Sequence, residues 1–131
     1  MFRKEHKINI IKKDDILFPN KFKNLKDFPQ RIYAMGNVEI LNSFMVAIIG
    51  ARECSFESMK IARKIGEKLA RAGIIIVSGF AKGIDGIAHS ECVKNNEQTV
   101  AVLGTGFDKI YPKQNRNLIK EIIENNGSIV S

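Results

Sequence analysis

The chain has 131 residues, of which 44% are hydrophobic and 27% charged, as is usual for one globular domain and unlike a disordered or fibrous protein. Its formal net charge of +7 favours a polyanionic partner such as nucleic acid. No apolar stretch approaches the roughly 20 residues that span a bilayer, and residues 1–7 are too polar to lead into a signal peptide, so we expect a cytoplasmic protein without membrane contact.

The cysteines and histidines do not predict a metal site. Cys54 and Cys92 lack CxxC spacing and accompany only two histidines, so neither zinc ligation nor a disulfide framework is indicated. We therefore expect free thiols, no metal and no cofactor.

Residues 1–44 are predicted to form an extended lead-in that packs on the core. Residues 7–12 resemble a short strand, residues 19–28 are broken by polar residues, and residues 31–35 are expected to pair at a sheet edge.

Residues 45–131 are predicted to form the main domain. The apolar run at residues 44–49 predicts a strand covered on both faces that ends at Gly50. Ser55 is a suitable N-cap for the helix that follows, and Gly73 is a suitable stop for it.

The pattern of a strand followed by a helix then repeats. Residues 74–77, 99–103 and 128–131 are predicted strands, and apolar residues at helical spacing lie between them. Strands joined by helices pair in parallel through right-handed crossovers. The predicted fold is therefore α/β, a Rossmann-like three-layer domain with a mostly parallel sheet.

Three loops should meet at one edge of this sheet, because the carboxyl ends of parallel strands lie together. They cover residues 50–53, 78–85 and 104–108. The middle loop combines backbone N–H groups between Gly79 and Gly83 with the Ser78 hydroxyl and the Lys82 cation, which is the chemistry of a phosphate pocket. Its glycine spacing matches neither the dinucleotide fingerprint nor the Walker loop.

Each candidate residue also has a structural interpretation. Arg52 could grip a phosphate with two hydrogen bonds or instead pair with Glu53. Lys82 could simply be a solvated cation. Asp85 and His89 share a helix face and could form an acid/base pair with a raised histidine pKa, although a structural role is favoured because no nucleophile or metal cluster accompanies them.

The third loop, followed as far as residue 116, mixes aromatic residues with cations, as single-strand binding surfaces do. Phe107 is predicted to pack as core, whereas Lys113 and Arg116 are candidates for contact with a polyanion.

Several motifs, taken in order and with their spacing, resemble the DNA processing protein A (DprA, also called Smf) family. They are VAIIGAR at residues 46–52, SGFAKGID at residues 78–85 with Ala88-His89, and AVLGTG at residues 101–106 with Tyr111-Pro112 and Asn115. Upstream, Phe18-Pro19, Phe28-Pro29 and Gly36-Asn37 resemble the family's lead-in.

The resemblance implies a non-catalytic protein that binds single-stranded DNA, acts in natural transformation, helps load a RecA-type recombinase and forms a homodimer. It implies phosphate-pocket residues at Arg52, Ser78, Gly79, Lys82, Gly83, Asn115 and Arg116. Structural support of the pocket is expected from Gly50, Asp85, His89, Gly104 and Gly106.

The chain departs from the family pattern in two ways. Ala51 replaces a frequent Ser or Thr, and the family's segments that follow residues 128–131 are missing, so we expect an open sheet edge there and association or reduced stability. Two alternatives stay open: a Rossmann enzyme or sensor that acts on a nucleotide, and a degenerate half-domain that acts only by associating with a partner.

Overall fold

Six strands form one mixed sheet in the computed structural model, which describes residues 6–131. The strands are β1 (Asn9–Lys12), β2 (Arg31–Gly36), β3 (Met45–Ala47), β4 (Ile75–Ser78), β5 (Thr99–Val102) and β6 (Ser128–Val130). The α-helices are α1 (Phe56–Arg71), α2 (Ile84–Lys94) and α3 (Arg116–Glu124), and short 3-10 helices span Asn20–Asn24, Val38–Asn42 and Lys113–Asn115.

The strand order is β1-β2-β6-β5-β4-β3. β3, β4, β5 and β6 are parallel, whereas β2 runs antiparallel to both β1 and β6. The predicted α/β architecture with a mostly parallel sheet is thus confirmed.

Side-chain alternation along the strands separates two cores. On one face, Ile76 packs with α1 and α2, while Ala101 and Ile129 pack with α3. On the other face, Ile75 and Val100 pack against the lead-in. The three layers are therefore the α-helices, the sheet and the lead-in.

The predicted limits of the first helix are confirmed. The Ser55 hydroxyl accepts a hydrogen bond from the Ser58 N–H at 3.1 Å, and Glu57 lies in the first turn. Gly73 follows the helix with a φ of +71°, a conformation that glycine adopts without steric cost.

The prediction that residues 44–49 form a strand covered on both faces is wrong. Among residues 6–131, β3 is a short edge strand that pairs only with β4, and Phe44 and Ile49 are 74% and 76% exposed. An apolar run indicates a strand, but the strand's place in the sheet depends on which other strands pair with it.

The open edge expected at residues 128–131 is also absent from the described part of the chain. β6 pairs with β5 on one side and with β2 on the other, where Ala34 lies opposite Val130. β2 is accordingly internal, between β1 and β6, instead of at a sheet edge. The lead-in thus contributes two strands to the same sheet, while the division at residue 44 stays a prediction.

Candidate functional site

The first two loops of the predicted pocket are joined by direct hydrogen bonds at the carboxyl edge of β3 and β4. The Gly50 N–H donates to Asp85 Oδ1 at 3.2 Å, and the Ile84 N–H donates to the Ala51 carbonyl at 3.3 Å. Asp85 therefore holds the loop after β3 against the start of α2, while its part in supporting a phosphate pocket stays a prediction.

Ser78 ends β4 and is buried. Its hydroxyl donates to the Ile48 carbonyl at 2.6 Å, which ties the end of β4 to the chain that follows β3. Since that proton is already donated, this hydroxyl cannot at the same time donate to an anion. The assignment of Ser78 as a phosphate ligand stays a prediction, and the observed contact is structural.

The two glycines of the middle loop sit where side chains would collide. Gly83 has a φ of +78° and precedes α2, and an added Cβ would overlap the Ala51 carbonyl oxygen. An added Cβ at Gly79 would lie 2.8 Å from Asp85 Oδ2. Close approach of the two loops therefore depends on glycine at residue 83, whereas Gly79 leaves room for the Asp85 carboxylate within the middle loop.

Between these glycines, Phe80 turns the chain. It is fully buried and has a φ of +61°, a conformation that is uncommon for a bulky side chain. Asn115 stabilises this turn from the third loop, because its Nδ2 group donates to the carbonyls of Phe80 and Ala81 at 3.3 and 3.1 Å. Asn115 thus joins the third loop to the second.

Replacing Asn115 by alanine is expected to lower the free energy of unfolding by roughly 1–3 kcal/mol, because the Phe80 carbonyl loses a donor and the Ala81 carbonyl keeps only the Gly86 N–H. Urea denaturation measures this. Asn125→Ala is the control, since the Asn125 amide bonds only to Glu121 of its own helix at an exposed position. An equal effect of both substitutions would show that Asn115 does not connect the loops.

Arg52 is exposed and Lys82 is half-buried, and within residues 6–131 neither forms an ion pair. Among residues 6–131 the ion pairs are Arg71 with Glu67 and Lys120 with Glu124, so the alternative pairing of Arg52 with Glu53 is not observed. Arg52 is exposed, and the Lys82 ammonium lies 5.7 Å from the centre of the Tyr111 ring. Tyr111 is itself 56% exposed, unlike Phe107, which is buried as predicted.

Free backbone donors lie beside these cations. Within the described residues, the N–H groups of residues 80–83 donate no hydrogen bond, and no side chain caps the start of α2. An uncapped helix start with adjacent free N–H groups attracts anions.

The remaining predicted residues lie around this centre. Arg116 is exposed at the start of α3, next to Asn115, and Lys113 is exposed in the preceding 3-10 helix. Gly104 and Gly106 are exposed in the loop after β5. That loop is fastened to the end of the chain by the Ser131 hydroxyl, which donates to the Thr105 carbonyl at 2.8 Å.

The less favoured alternative, an acid/base pair of Asp85 and His89, is not formed, and the pKa of His89 is not raised. His89 is fully buried, and its Nδ1 atom lies 2.8 Å from the Thr99 hydroxyl. That hydroxyl donates to the Ile76 carbonyl, so His89 donates through Nδ1–H. Burial lowers the pKa of His89 to about 4. His89 therefore supports the fold beside Phe80 as a neutral side chain.

Sequence reasoning missed Phe80 and Thr99. No local pattern marks a bulky residue that adopts a left-handed conformation, and Thr99 is ten residues from its histidine partner. Within residues 6–131, no cluster of His, Cys, Asp and Glu is arranged to hold a metal ion. None of the helices described is both long and apolar enough to cross a membrane.

Comparison with known proteins identifies similar chains. The sequence profile of the family described as DNA recombination-mediator protein A matches residues 9–131. Protein Smf of Escherichia coli is 33% identical over 94% of this chain and 33% of its own length. DNA processing protein DprA of Streptococcus pneumoniae is 37% identical over 89% of this chain and 41% of its own length.

Two solved structures share the fold. The X-ray structure of S. pneumoniae DNA processing protein A superposes with a TM-score of 0.85 at 34% identity, over 95% of this chain and 44% of that one. A structure of the Helicobacter pylori protein, which concerns its single-stranded DNA binding mode, gives a TM-score of 0.81 at 32% identity over 95% and 55%. The present chain thus spans between a third and about half of the lengths of these proteins.

Proposed function

Since the chain belongs to the DNA recombination-mediator protein A family, we propose that it binds single-stranded DNA through the phosphate backbone at the joined loops. The observation that carries the proposal is the combination of two cations, the exposed Arg52 and the half-buried Lys82, with the N–H groups of residues 80–83, which donate no hydrogen bond within the described part of the chain. A phosphate needs several donors and positive charge together, and this edge supplies both.

In the proposed site, Tyr111 adds a contact to a nucleobase beside the contacts to phosphate. Its exposed ring lies beside the Lys82 ammonium, so a phosphate held by Lys82 would bring the attached nucleotide close to an aromatic face. Stacking on aromatic rings accepts any base, which suits binding without sequence preference. Arg116 and Lys113 then extend the positive surface along the strand.

In this proposal Arg52, Lys82 and Arg116 contact phosphate through side chains, while Gly79 and Gly83 let the backbone approach it. Ser78 and Asn115 act by holding the loops together, and Asp85 and His89 support them from below. The site needs no metal and no cofactor.

Family membership supports a proposal for the wider role. We propose a cytoplasmic, non-catalytic protein that acts in DNA processing during natural transformation, works with a RecA-type recombinase and forms a homodimer. The H. pylori relative, whose structure concerns single-stranded DNA binding, supports the nucleic-acid part of this role. Nucleotide hydrolysis is disfavoured, because the candidate base His89 is buried and cannot reach a ligand at the surface.

Replacing Lys82 by alanine is expected to weaken binding of an oligo-dT probe and to reduce its salt dependence. Each neutralised phosphate contributes about 0.7 to the slope of log K against log salt for single strands, so that slope should fall by about 0.7. Fluorescence anisotropy across a range of NaCl concentrations measures both quantities.

Lys64→Ala is the matched control, because it removes the same charge from an exposed position of α1 that lies outside the loops. If both variants lost the same amount of affinity for oligo-dT, the binding would be explained by nonspecific attraction to the net charge of the protein. Absence of any oligo-dT binding by the intact chain at low salt would reject the proposal.

A further inference from the structure

Two cations face each other across the first two strands. Lys12 of β1 lies directly opposite Arg31 of β2 in the antiparallel register, and both side chains are exposed. Within residues 6–131 neither of them forms an ion pair. Like charges directly opposite each other destabilise a sheet, because their Cβ atoms lie only about 4.5–5.5 Å apart. A bound anion would relieve this repulsion.

This pair of cations lies at the same edge of the sheet as the joined loops around Arg52 and Lys82. β2 runs antiparallel to β6, with Ala34 opposite Val130, so Arg31 lies beyond the carboxyl end of β6. In the strand order, β6 and β5 lie between β2 and β4, and three strand intervals correspond to about 14 Å at the usual spacing. A single strand of a few nucleotides therefore spans the distance between the two groups of cations.

An open pocket of about 550 Å³ adjoins Lys12 and Arg31. Its walls include Ile10 and Tyr33, which lie opposite each other in β1 and β2. Side chains two residues apart point to the same face of a strand, so these two walls lie on the same face of the sheet as the two cations. Ile10 is 55% exposed and Tyr33 is 37% exposed, which leaves an aromatic ring partly open to a planar ligand.

The third loop connects this pocket with the joined loops. Gly106 and Phe107 line the pocket. Further along the same loop, the centre of the Tyr111 ring lies 5.7 Å from the Lys82 ammonium. The exposed Lys7 adds positive charge to the pocket. One continuous segment of chain thus borders both places where a nucleotide would bind.

We propose that Lys12, Arg31 and this pocket, together called the β1–β2 subsite, bind a second segment of the single-stranded DNA that occupies the joined loops. Lys12 and Arg31 contact a phosphate, to which the guanidinium donates two hydrogen bonds, and Tyr33 stacks on a nucleobase. This inference deepens the proposed function and rests on it. A free nucleotide offers the same phosphate and base, but the shared edge and the shared third loop favour a strand that reaches both sites.

Replacing Arg31 by alanine tests the phosphate contact. Binding of an oligo-dT probe long enough to span both sites is expected to weaken, and the slope of log K against log salt should fall by about 0.7, as for one phosphate of a single strand. Fluorescence anisotropy across a range of NaCl concentrations measures both quantities. Arg63→Ala is the matched control, because it removes an exposed arginine of α1 that lies outside both sites. Equal effects of the two substitutions would overturn the β1–β2 subsite.

Lys82→Ala, measured with the same probe, separates this inference from the proposed function. A loss of affinity for Lys82→Ala without one for Arg31→Ala would overturn the β1–β2 subsite and leave the joined loops as the binding site. Urea denaturation controls for folding. Since Arg31→Ala removes a like charge opposite Lys12, its free energy of unfolding should not fall. A marked fall would contradict the repulsion on which the β1–β2 subsite rests.

Photocross-linking with an oligo-dT that carries iodouracil tests the contact to the base. Mass spectrometry is expected to place a cross-link on Tyr33, at a yield at least about tenfold above that of free iododeoxyuridine monophosphate at the same nucleotide concentration, because the joined loops hold the strand nearby. Equal yields with the strand and the free nucleotide would assign the pocket to a free nucleotide instead. Absence of a cross-link on Tyr33, when the same probe is cross-linked to Tyr111, would overturn the proposed stacking.

Discussion

Replacing Gly83 by alanine is expected to lower the free energy of unfolding by about 3 kcal/mol, because two costs act at once. The φ of +78° and ψ of −126° place this residue in a region that side chains rarely occupy, and the new Cβ would overlap the Ala51 carbonyl oxygen. The overlap with the Ala51 carbonyl oxygen can be removed only if the loop after β3 moves away from α2. Urea denaturation followed by circular dichroism measures the loss.

Gly104→Ala is the matched control for this substitution. Gly104 lies in the third loop, and an added Cβ there has no atom within 4 Å. Its alanine variant should therefore unfold at nearly the same urea concentration as the unmodified protein. Equal midpoints for the two alanine variants would contradict the close contact between the first two loops.

The stability of the chain is expected to fall steeply below pH 6.5 because of His89. Burial lowers the pKa of His89 from 6.5 to about 4 in the folded state. The unfolded chain therefore binds more protons between these values, and acid favours unfolding. Across this pH range, neutral His89 contributes about 3 kcal/mol to the free energy of unfolding. This contribution is fully present above pH 6.5 and is lost progressively as the pH falls towards 4.

Urea midpoints measured from pH 4 to pH 8 test this linkage. In His89→Gln the amide can still donate to the Thr99 hydroxyl, but the side chain does not titrate. This variant should be less sensitive to acid between pH 6.5 and 4, even if it is less stable at pH 8. Parallel pH profiles for the two proteins would rule out His89 as the source of the dependence.

Much of the fold was predictable because its determinants are local. Apolar runs, the Ser55 cap and the Gly73 stop specify the parallel strands and α1 through interactions within a few residues. The convergence of the loops was predictable as well, since parallel strands joined by helices bring their carboxyl ends to one edge. The prediction that Arg52 and Lys82 lie at this edge rests on the same argument.

The sequence did not predict which side chains form hydrogen bonds with residues far away in the chain. The His89 imidazole pairs with Thr99 instead of Asp85, whose carboxylate bonds to Gly50, 35 residues away in the chain. A helical spacing of four residues allows a contact but does not require it, because a buried polar group takes the best donor or acceptor that the packed core offers. The turn at Phe80 likewise depends on Asn115, from another loop.

The sequence by itself determined the α/β class, the limits of the first helix and the loops that could receive an anion, since these depend on periodicity, capping and chain direction. Only the tertiary structure decided that β2 pairs with β6, that β3 lies at the sheet edge and that the Ser78 hydroxyl bonds to Ile48. The physical reason is that hydrophobicity favours burial without specifying the neighbour. The neighbour is chosen by strand pairing and side-chain packing between segments far apart in the chain.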